Sequence, residues 1–208
     1  MRLSLLIPLI AVVVALVGCG GERCEVCEAG SGSRAAAITG GHAHGAPSAA
    51  PAATACPVPA ALVAVMLPTK GNSVGGKVRF TDVEGGVRIV ADITGLTPNG
   101  KHAIHIHEFG DVSAEDGSAA GGHYNPGGHP HGGPESEHRH AGDLGNLTAD
   151  AAGNAHYELV VKGLGLCCGA TPVIGRSVII HAKEDDLTSQ PSGNAGPRIA
   201  QGVIGATK

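Results

Sequence analysis

The sequence has no tryptophan, and aromatic residues make up 2% and charged residues 15% of its 208 positions. The formal net charge is a mild −4, and no cluster of lysine and arginine forms the basic surface that nucleic-acid-binding proteins use. No segment shows the three-to-four-residue spacing of apolar side chains that an amphipathic helix requires. These absences argue against a helical protein and against nucleic acid as a partner.

Glycine, in contrast, is abundant, with 34 residues, and it separates short runs rich in β-branched side chains. The runs cover residues 61–67, 76–80, 87–93, 102–107, 156–161 and 176–182. Turn sequences such as EGG, TPNG and DAAGN lie between them. The pattern predicts an all-β sandwich or barrel within residues 57–208. Two long segments, 108–155 and 183–198, lack strand character, and loops of that length are usually functional.

The N-terminus is typical of a secretory signal, with Arg2 before an apolar run that ends at Gly18. The sequence LVGC resembles the bacterial lipobox, which implies that residues 1–18 are removed and that Cys19 carries a lipid. An uncleaved membrane anchor is the alternative, although the run is short for a bilayer span.

Residues 19–56 are rich in Gly, Ala, Ser and Pro and have no hydrophobic periodicity, so we expect a flexible, lipid-anchored tether. The domain at residues 57–208 is then expected outside the cytoplasm, as a periplasmic or cell-envelope lipoprotein. The outer membrane is favoured where there are two membranes, because Gly20 is not the Asp that is often linked to inner-membrane retention.

Histidine is concentrated in one part of the chain, with seven of the twelve residues between positions 102 and 138. Side chains two apart on a strand point to the same face, so His105 and His107 are expected to project together. Ile104 and Ile106 would then face the core. Imidazole suits zinc and copper, which makes the pair a candidate metal site.

The first long segment adds His123, His131, His140 and Asp143. Three nitrogens and one carboxylate oxygen are a ligand set that suits tetrahedral zinc. A later strand ends at His181, a further imidazole. His129 and His138 each lie two residues before a candidate ligand, so a shift in the assignment is the alternative.

The motifs HIHEFGD, GGHYNP, HGGP, RHAGDLGN, VIGRSVIIHAKEDDL and GNAGPRIAQGVIG occur in this order. Over residues 61–208 they resemble the copper/zinc superoxide dismutase family. The resemblance implies a Greek-key β-sandwich, a flattened eight-stranded barrel with two long functional loops. It also implies dismutation of superoxide to oxygen and hydrogen peroxide by a redox-cycling copper ion beside a structural zinc ion.

The resemblance also implies a role for each site residue. Copper would be held by His105, His107, His123 and His181. Zinc would be held by His123, His131, His140 and Asp143, with His123 shared between the two ions. Asp185 would join copper and zinc histidines by hydrogen bonds, Arg198 would guide the anionic substrate, and His123 would carry a proton.

Other readings remain at this point. A non-enzymatic copper and zinc buffer could use the same fold, and a structural envelope protein could keep zinc alone. The family contains monomers and dimers, so a homodimer is one expectation.

The chain departs from the family at a disulfide that usually ties a long loop to the barrel. Val112 and Gln201 occupy the two positions where the family usually has cysteines. Five other cysteines follow Cys19 in the sequence: Cys24, Cys27, Cys56, Cys167 and Cys168. We expect a local disulfide between Cys24 and Cys27, and we hypothesise a substitute bridge from Cys56 to Cys167 or Cys168.

Overall fold

The computed structural model describes residues 59–208. The predicted signal, the lipid-bearing Cys19, the tether and the proposed pairings of Cys24, Cys27 and Cys56 lie outside the described residues. Within 59–208 there are eight strands: β1 (Ala61–Pro68), β2 (Gly75–Val83), β3 (Gly86–Thr94), β4 (Lys101–His107), β5 (Asp143–Thr148), β6 (Ala155–Val161), β7 (Ser177–His181) and β8 (Arg198–Ala206). The described residues contain no helix that is long and apolar enough to cross a membrane.

The strands pair in the order β5-β4-β7-β8-β1-β2-β3-β6, and all paired neighbours are antiparallel. The two end strands, β5 and β6, also approach each other, so the sheet nearly closes into a barrel. The connections from β3 to β4 and from β6 to β7 skip over neighbouring strands, as in Greek-key folds. The predicted all-β, eight-stranded fold is confirmed.

The barrel has two halves that are useful to name. Strands β1, β2, β3 and β6 form the framework half, and strands β4, β5, β7 and β8 form the site half. The framework half shows the alternation expected of strands with one face in a core: along β3, Val87, Ile89 and Ile93 are buried, and their neighbours in the strand are exposed or partly exposed. Phe80 of β2 is fully buried in the same core.

Two strands were absent from the runs that the sequence pattern predicts. Strand β5 lies inside segment 108–155, which was expected to lack strands, and β8 occupies residues 198–206. Both contain residues that disfavour strands, such as Gly145 and Asn146 in β5 and Gly202 in β8. Pairing with β4 on one side and with β7 and β1 on the other overrides that local preference. The remaining long loops are the first loop (residues 108–142) and the second loop (residues 182–197).

Candidate metal centre

Strand β4 brings two histidines to one place. His105 and His107 are buried, and Ile104 and Ile106, which alternate with them, are fully buried in the hydrophobic core. Strand β7 pairs with β4, with Ile179 opposite His105, and it ends at His181. The end of β7 therefore adds a third imidazole beside the two on β4.

The first loop returns to β4 and adds a fourth. The backbone N–H of Tyr124 donates to the carbonyl of Ile106 at 2.8 Å, and the N–H of Ile106 donates to the carbonyl of Gly142 at 2.9 Å. This pairing sets His123 directly beside His107. A Cβ on Gly142 would lie 2.2 Å from the Ile106 carbonyl oxygen, so this approach needs glycine.

Two groups of side chains result, and each is buried. The ligand atoms within each group lie within 4.8 Å of one another. The first group is His105, His107, His123 and His181, and the second is His123, His131, His140 and Asp143. His123 belongs to both groups.

Backbone carbonyls orient two rings of the first group. The Nδ1 of His107 donates to the carbonyl of Gly121 at 3.0 Å, and the Nδ1 of His181 donates to the carbonyl of Gly196 at 2.9 Å. Because a carbonyl can only accept, each Nδ1 carries the proton. Each Nε2 is left as a lone-pair donor, the form in which imidazole binds metals.

Asp185 orients one ring in each group. Its two carboxylate oxygens accept from the Nε2 of His105 at 2.8 Å and from the Nε2 of His131 at 2.9 Å. Asp185 is 1% exposed. A Cβ on Gly193 would lie 1.8 Å from its Oδ1, so only glycine leaves room for this bridge. The Nδ1 of each ring is thereby left for another partner.

The ring nitrogens of the first group that make no hydrogen bond indicate a binding site for a cation. Within the described residues, His105 Nδ1, His107 Nε2, His123 Nε2 and His181 Nε2 are buried and have no hydrogen-bond partner. Buried polar atoms in native proteins are normally paired. Four unpaired imidazole nitrogens in one cluster fit a metal ion with a preference for nitrogen, such as copper or zinc.

The second group has the dimensions of a tetrahedral site. The Oδ1 of Asp143 lies 2.8 Å from His123 Nδ1, 3.0 Å from His131 Nδ1 and 3.2 Å from His140 Nδ1. The Nδ1 atoms of His123 and His140 are 3.3 Å apart. Ligand atoms at about 2.0 Å around a tetrahedral zinc ion lie roughly 3.3 Å from one another. His131 Nδ1 makes no hydrogen bond despite its closeness to Asp143, which fits a shared ion between them.

Electrostatics favour the protonation states that metals require in His105, His181 and Asp143, but not in His131. Burial lowers the pKa of His105 to about 4 and that of His181 to about 3, so both rings are neutral at neutral pH. Burial alone would raise the pKa of Asp143, but its hydrogen bond with His123 and the close approach of the His131 ring hold that pKa well below its usual range. In His131 burial is outweighed by Asp143 and Asp185, which raise the pKa to about 9, so this ring must release a proton when a metal ion binds.

Arg198 lies beside the first group, at the start of β8. Its Nη1 donates to the carbonyl of Gly117, and its Nη2 donates to the carbonyl of Gly121 at 2.6 Å. The Gly121 carbonyl is the same one that orients His107. A guanidinium cation is therefore fixed at the edge of the histidine cluster, where an approaching anion would meet it.

Comparison with known proteins identifies the family in which this arrangement of side chains occurs. Residues 74–204 match the family described as copper/zinc superoxide dismutase. The chain belongs to the copper/zinc superoxide dismutase family. Both groups of candidate metal ligands described above are complete in this chain.

Individual relatives agree. A copper/zinc superoxide dismutase of Paramecium bursaria Chlorella virus 1 is 46% identical over 65% of this chain and 74% of its own. One from Candida glabrata is 47% identical over 57% of this chain and 80% of its own. An extracellular copper/zinc superoxide dismutase of Brugia pahangi is 39% identical over 70% of this chain and 75% of its own. The crystal structure of the clock protein EA4 superposes with a TM-score of 0.65 at 38% identity, over 72% of this chain and 96% of that one.

The structure separates the predicted ligands from the other histidines. All seven predicted ligands lie in the two groups, and Asp185 lies between them. His129 and His138 are exposed, with ring centroids 5.3 Å apart, and neither belongs to a metal group found in the described residues. His102 is a buried structural residue: its Nδ1 donates to the His181 carbonyl and its Nε2 accepts from Thr97.

Three supporting residues were missed at the sequence level. Asn146 bonds both main-chain groups of Asp185, and the side-chain amide of Gln190 bonds both main-chain groups of His131. Arg139 donates to carbonyls around His140. Arg139 and Asn146 lie inside the quoted motif RHAGDLGN, which could have pointed to them, whereas no sequence signal marks Gln190.

Proposed function

We propose that this protein is an extracytoplasmic, lipid-anchored superoxide dismutase that protects the cell envelope from superoxide. Its activity follows from its family: it is a superoxide dismutase that uses copper and zinc. The observation that supports active chemistry here is the pair of complete metal groups that share His123, together with Arg198 at their edge.

The unpaired ring nitrogens support one assignment of the ions. We assign copper to His105 Nδ1 and to the Nε2 atoms of His107, His123 and His181. We assign zinc to the Nδ1 atoms of His123, His131 and His140 and to Asp143 Oδ1. A group with four nitrogens suits copper, and a group with one carboxylate suits zinc. His123 must then lose both ring protons when both ions are bound.

The chain's own residues provide the rest of the chemistry. Copper held by the first group would supply the one-electron redox chemistry by which two superoxide anions and two protons become oxygen and hydrogen peroxide. His123 would hold one of those protons at Nε2 whenever that nitrogen is not bound to copper, and would deliver the proton from there. Arg198 would orient the anion through its guanidinium charge. His131, His140 and Asp143 would keep His123 in place by holding zinc, an ion without redox chemistry.

The location of the protein is proposed from its N-terminal sequence. The predicted signal at residues 1–18, the lipidated Cys19 and the tether to residue 56 support an envelope lipoprotein. The Brugia pahangi relative is itself an extracellular enzyme by name. Mass spectrometry of the mature N-terminus tests the anchor: a diacylglyceryl-modified Cys19 is expected, and an unmodified Cys19 would contradict it.

A homodimer is proposed from one exposed apolar surface. Its large side chains are between 38% and 60% exposed: Val65, Leu67, Phe109, Ile174 and Val203. Strands β1 and β8 are paired, and a Cβ on Gly110, next to Phe109, would lie 3.2 Å from Val203, so the surface extends from β1 across β8 toward the start of the first loop. Clustered exposed apolar groups mark association surfaces. Sedimentation of wild type and Leu67→Lys tests this: wild type should be dimeric and the variant monomeric, and a monomeric wild type would contradict it.

The catalytic proposal is tested by loading the mature protein with copper and zinc and measuring superoxide decay. We expect rapid catalytic decay that requires copper. Stoichiometric metal binding without turnover would contradict the proposal and would favour the copper and zinc buffer.

A further inference from the structure

Gln201 occupies one of the two positions where the family usually has a bridging cysteine. Its side chain points into the protein, with 6% of the residue exposed. The side-chain Nε2 donates to the carbonyl of Ala114 at 3.1 Å and more weakly to that of Val112 at 3.4 Å. Val112 is the other bridge position. A carboxamide therefore joins β8 to the first loop at the place where the family usually has a disulfide.

The orientation of this amide follows from its neighbours. Both facing groups are carbonyls, which only accept, so the amino group must face them. The other side-chain atom, Oε1, is buried and has no hydrogen-bond partner within the described part of the chain. A buried acceptor without a partner lowers stability. If this position served packing alone, an apolar side chain would be more stable there. The hydrogen bonds that Gln201 donates must therefore serve another purpose.

The segment that the amide holds supplies that explanation. Residues 112–121, here called the arginine-binding segment, carry the carbonyls of Gly117 and Gly121 that accept from Arg198. The Gly121 carbonyl also accepts from the Nδ1 of His107. The position of this segment thus sets the direction of the guanidinium and the orientation of one copper-group ring.

We propose that Gln201 is a positioning residue of the active site. Its carboxamide anchors the arginine-binding segment to β8, and the segment in turn holds Arg198 toward the histidine cluster. The inference rests on the proposed function, in which Arg198 meets an anionic substrate. Because the link consists of hydrogen bonds rather than sulfur atoms, thiol reductants cannot open it.

The same segment has a second, weaker side-chain attachment. Lys70 pairs with Glu115 at 2.6 Å, but the two side chains are 75% and 72% exposed. Exposed ion pairs contribute little, because solvent screens them. Lys70→Met is therefore a matched control that removes a side-chain contact to the same segment without touching the buried amide.

Gln201→Met is the decisive variant. Methionine keeps the length and burial of the side chain, removes both donated hydrogen bonds and also removes the unpaired Oε1, so the overall stability should change little. Gln201→Glu is the second variant, since it places a carboxylate against two carbonyls. Both are compared with wild type and Lys70→Met, all loaded with copper and zinc.

Two readouts separate positioning from folding. The first is amide hydrogen exchange in residues 112–121, including the Gly117 N–H, which donates to the Ala114 carbonyl. The second is the affinity for azide, an anion whose binding to copper is followed by its visible charge-transfer absorption. Gln201→Met should raise the exchange rate about tenfold and weaken azide binding about fivefold. Lys70→Met should match wild type in both.

If both Gln201 variants had the same amide exchange rates in residues 112–121 as wild type, the proposal would be overturned, because the Gln201 carboxamide would not hold the segment. Faster exchange with unchanged azide affinity would overturn it as well, because the segment would not position Arg198. The azide affinity of Arg198→Ala separates the proposal about Gln201 from the proposed function. If this variant binds azide as tightly as wild type does, the role assigned to Arg198 is wrong, and the proposal about Gln201 falls with it. If Arg198→Ala weakens azide and Gln201→Met does not, the function stands and the inference about Gln201 falls.

Discussion

The two halves of the barrel use the same kind of strand but differ in regularity. In the framework half, the registers of β1 with β2, β2 with β3 and β3 with β6 run without a shift over the described pairs. In the site half, registers shift between Ala103 and His105 and between Ile180 and His181. Both shifts lie at residues of the histidine cluster. Bulges redirect side chains, so the irregularities of this half aim the ligands.

The halves also differ in what they bury. The framework half encloses apolar side chains such as Phe80 and Ile89, whose burial is favourable without a ligand. The site half encloses imidazoles and carboxylates, of which several ring nitrogens have no partner in residues 59–208. The comparison teaches that the packing of the framework half does not depend on metal ions, whereas the site half contains buried ligand groups that metal ions would complete.

The most damaging single change is expected in the residue shared by both metal groups. His123→Ala should lower the affinity for copper and for zinc, each by more than about 100-fold, because it removes a direct ligand from both ions. Metal content after dialysis, measured by elemental analysis, checks this. His181→Ala is the matched control, since it should lower copper affinity chiefly and leave zinc bound. A His123→Ala protein with normal content of both metals would break the account.

The framework half should respond to mutation in stability and not in metal binding. Phe80→Ala removes a fully buried ring and should lower the free energy of unfolding by about 3–5 kcal/mol. Denaturant titration of the metal-free protein measures the loss, and Val160→Ala, on an exposed residue of β6, should cost much less. The folded variant should still bind both metals. A loss of copper from folded Phe80→Ala would contradict the separation of the two halves.

Loss of the Asp185 carboxylate that bridges His105 and His131 should have a smaller effect on metal binding. Asp185→Asn keeps the shape but leaves one acceptor for two ring N–H groups, so the rings of His105 and His131 lose their fixed orientation. Affinity for each metal should fall about 10–100-fold, as measured by competition with chelators. Asp186→Asn is the control, because Asp186 is exposed and bonds its own loop. Equal affinities in the two variants would argue against the bridge.

The pH dependence of the metal-free protein sharpens the comparison further. The pKa values of His105 and His181 lie near 4 and 3 in the folded protein, below the ordinary 6.5, so the unfolded chain binds more protons as the pH falls below 6.5. That linkage destabilises the fold on acidification. The pKa of His131 is raised to about 9, so its stabilisation is complete below pH 6.5 and is lost as the pH rises through about 9.

From these groups the stability of the metal-free protein should be greatest near pH 6.5, and denaturant titrations at a series of pH values measure it. Bound metals occupy the same nitrogens, so the loaded protein should show a flatter profile. A metal-free protein whose stability is constant from pH 4 to pH 9 would contradict the burial and pairing of these histidines.

Sequence reasoning predicted the framework half better than the site half. The runs of β-branched residues in β1, β2 and β3 and the glycine turns between them are local signals, and they predicted those strands. Strands β5 and β8 carry glycine and polar residues and form because neighbouring strands pair with them. Long-range pairing of this kind leaves no local pattern.

The metal groups could be proposed from sequence because histidine is rare elsewhere and its motifs resemble a known family. The supporting roles of Gln190 and Gln201 could not be predicted in this way. Gln190 and Gln201 act as single side chains on distant backbone groups, 59 and 87 residues away for His131 and Ala114. A lone glutamine has no spacing to detect, and its role follows from the folded positions of its partners.

The central claim is that one ring, His123, joins two metal ions. Crystal diffraction from the copper- and zinc-loaded protein, with anomalous data at both metal edges, tests it most directly. The account predicts a copper peak among His105, His107, His123 and His181, a zinc peak among His123, His131, His140 and Asp143, and His123 between them. Peaks at other residues, or a His123 ring bound to a single ion with both sites filled, would contradict the account.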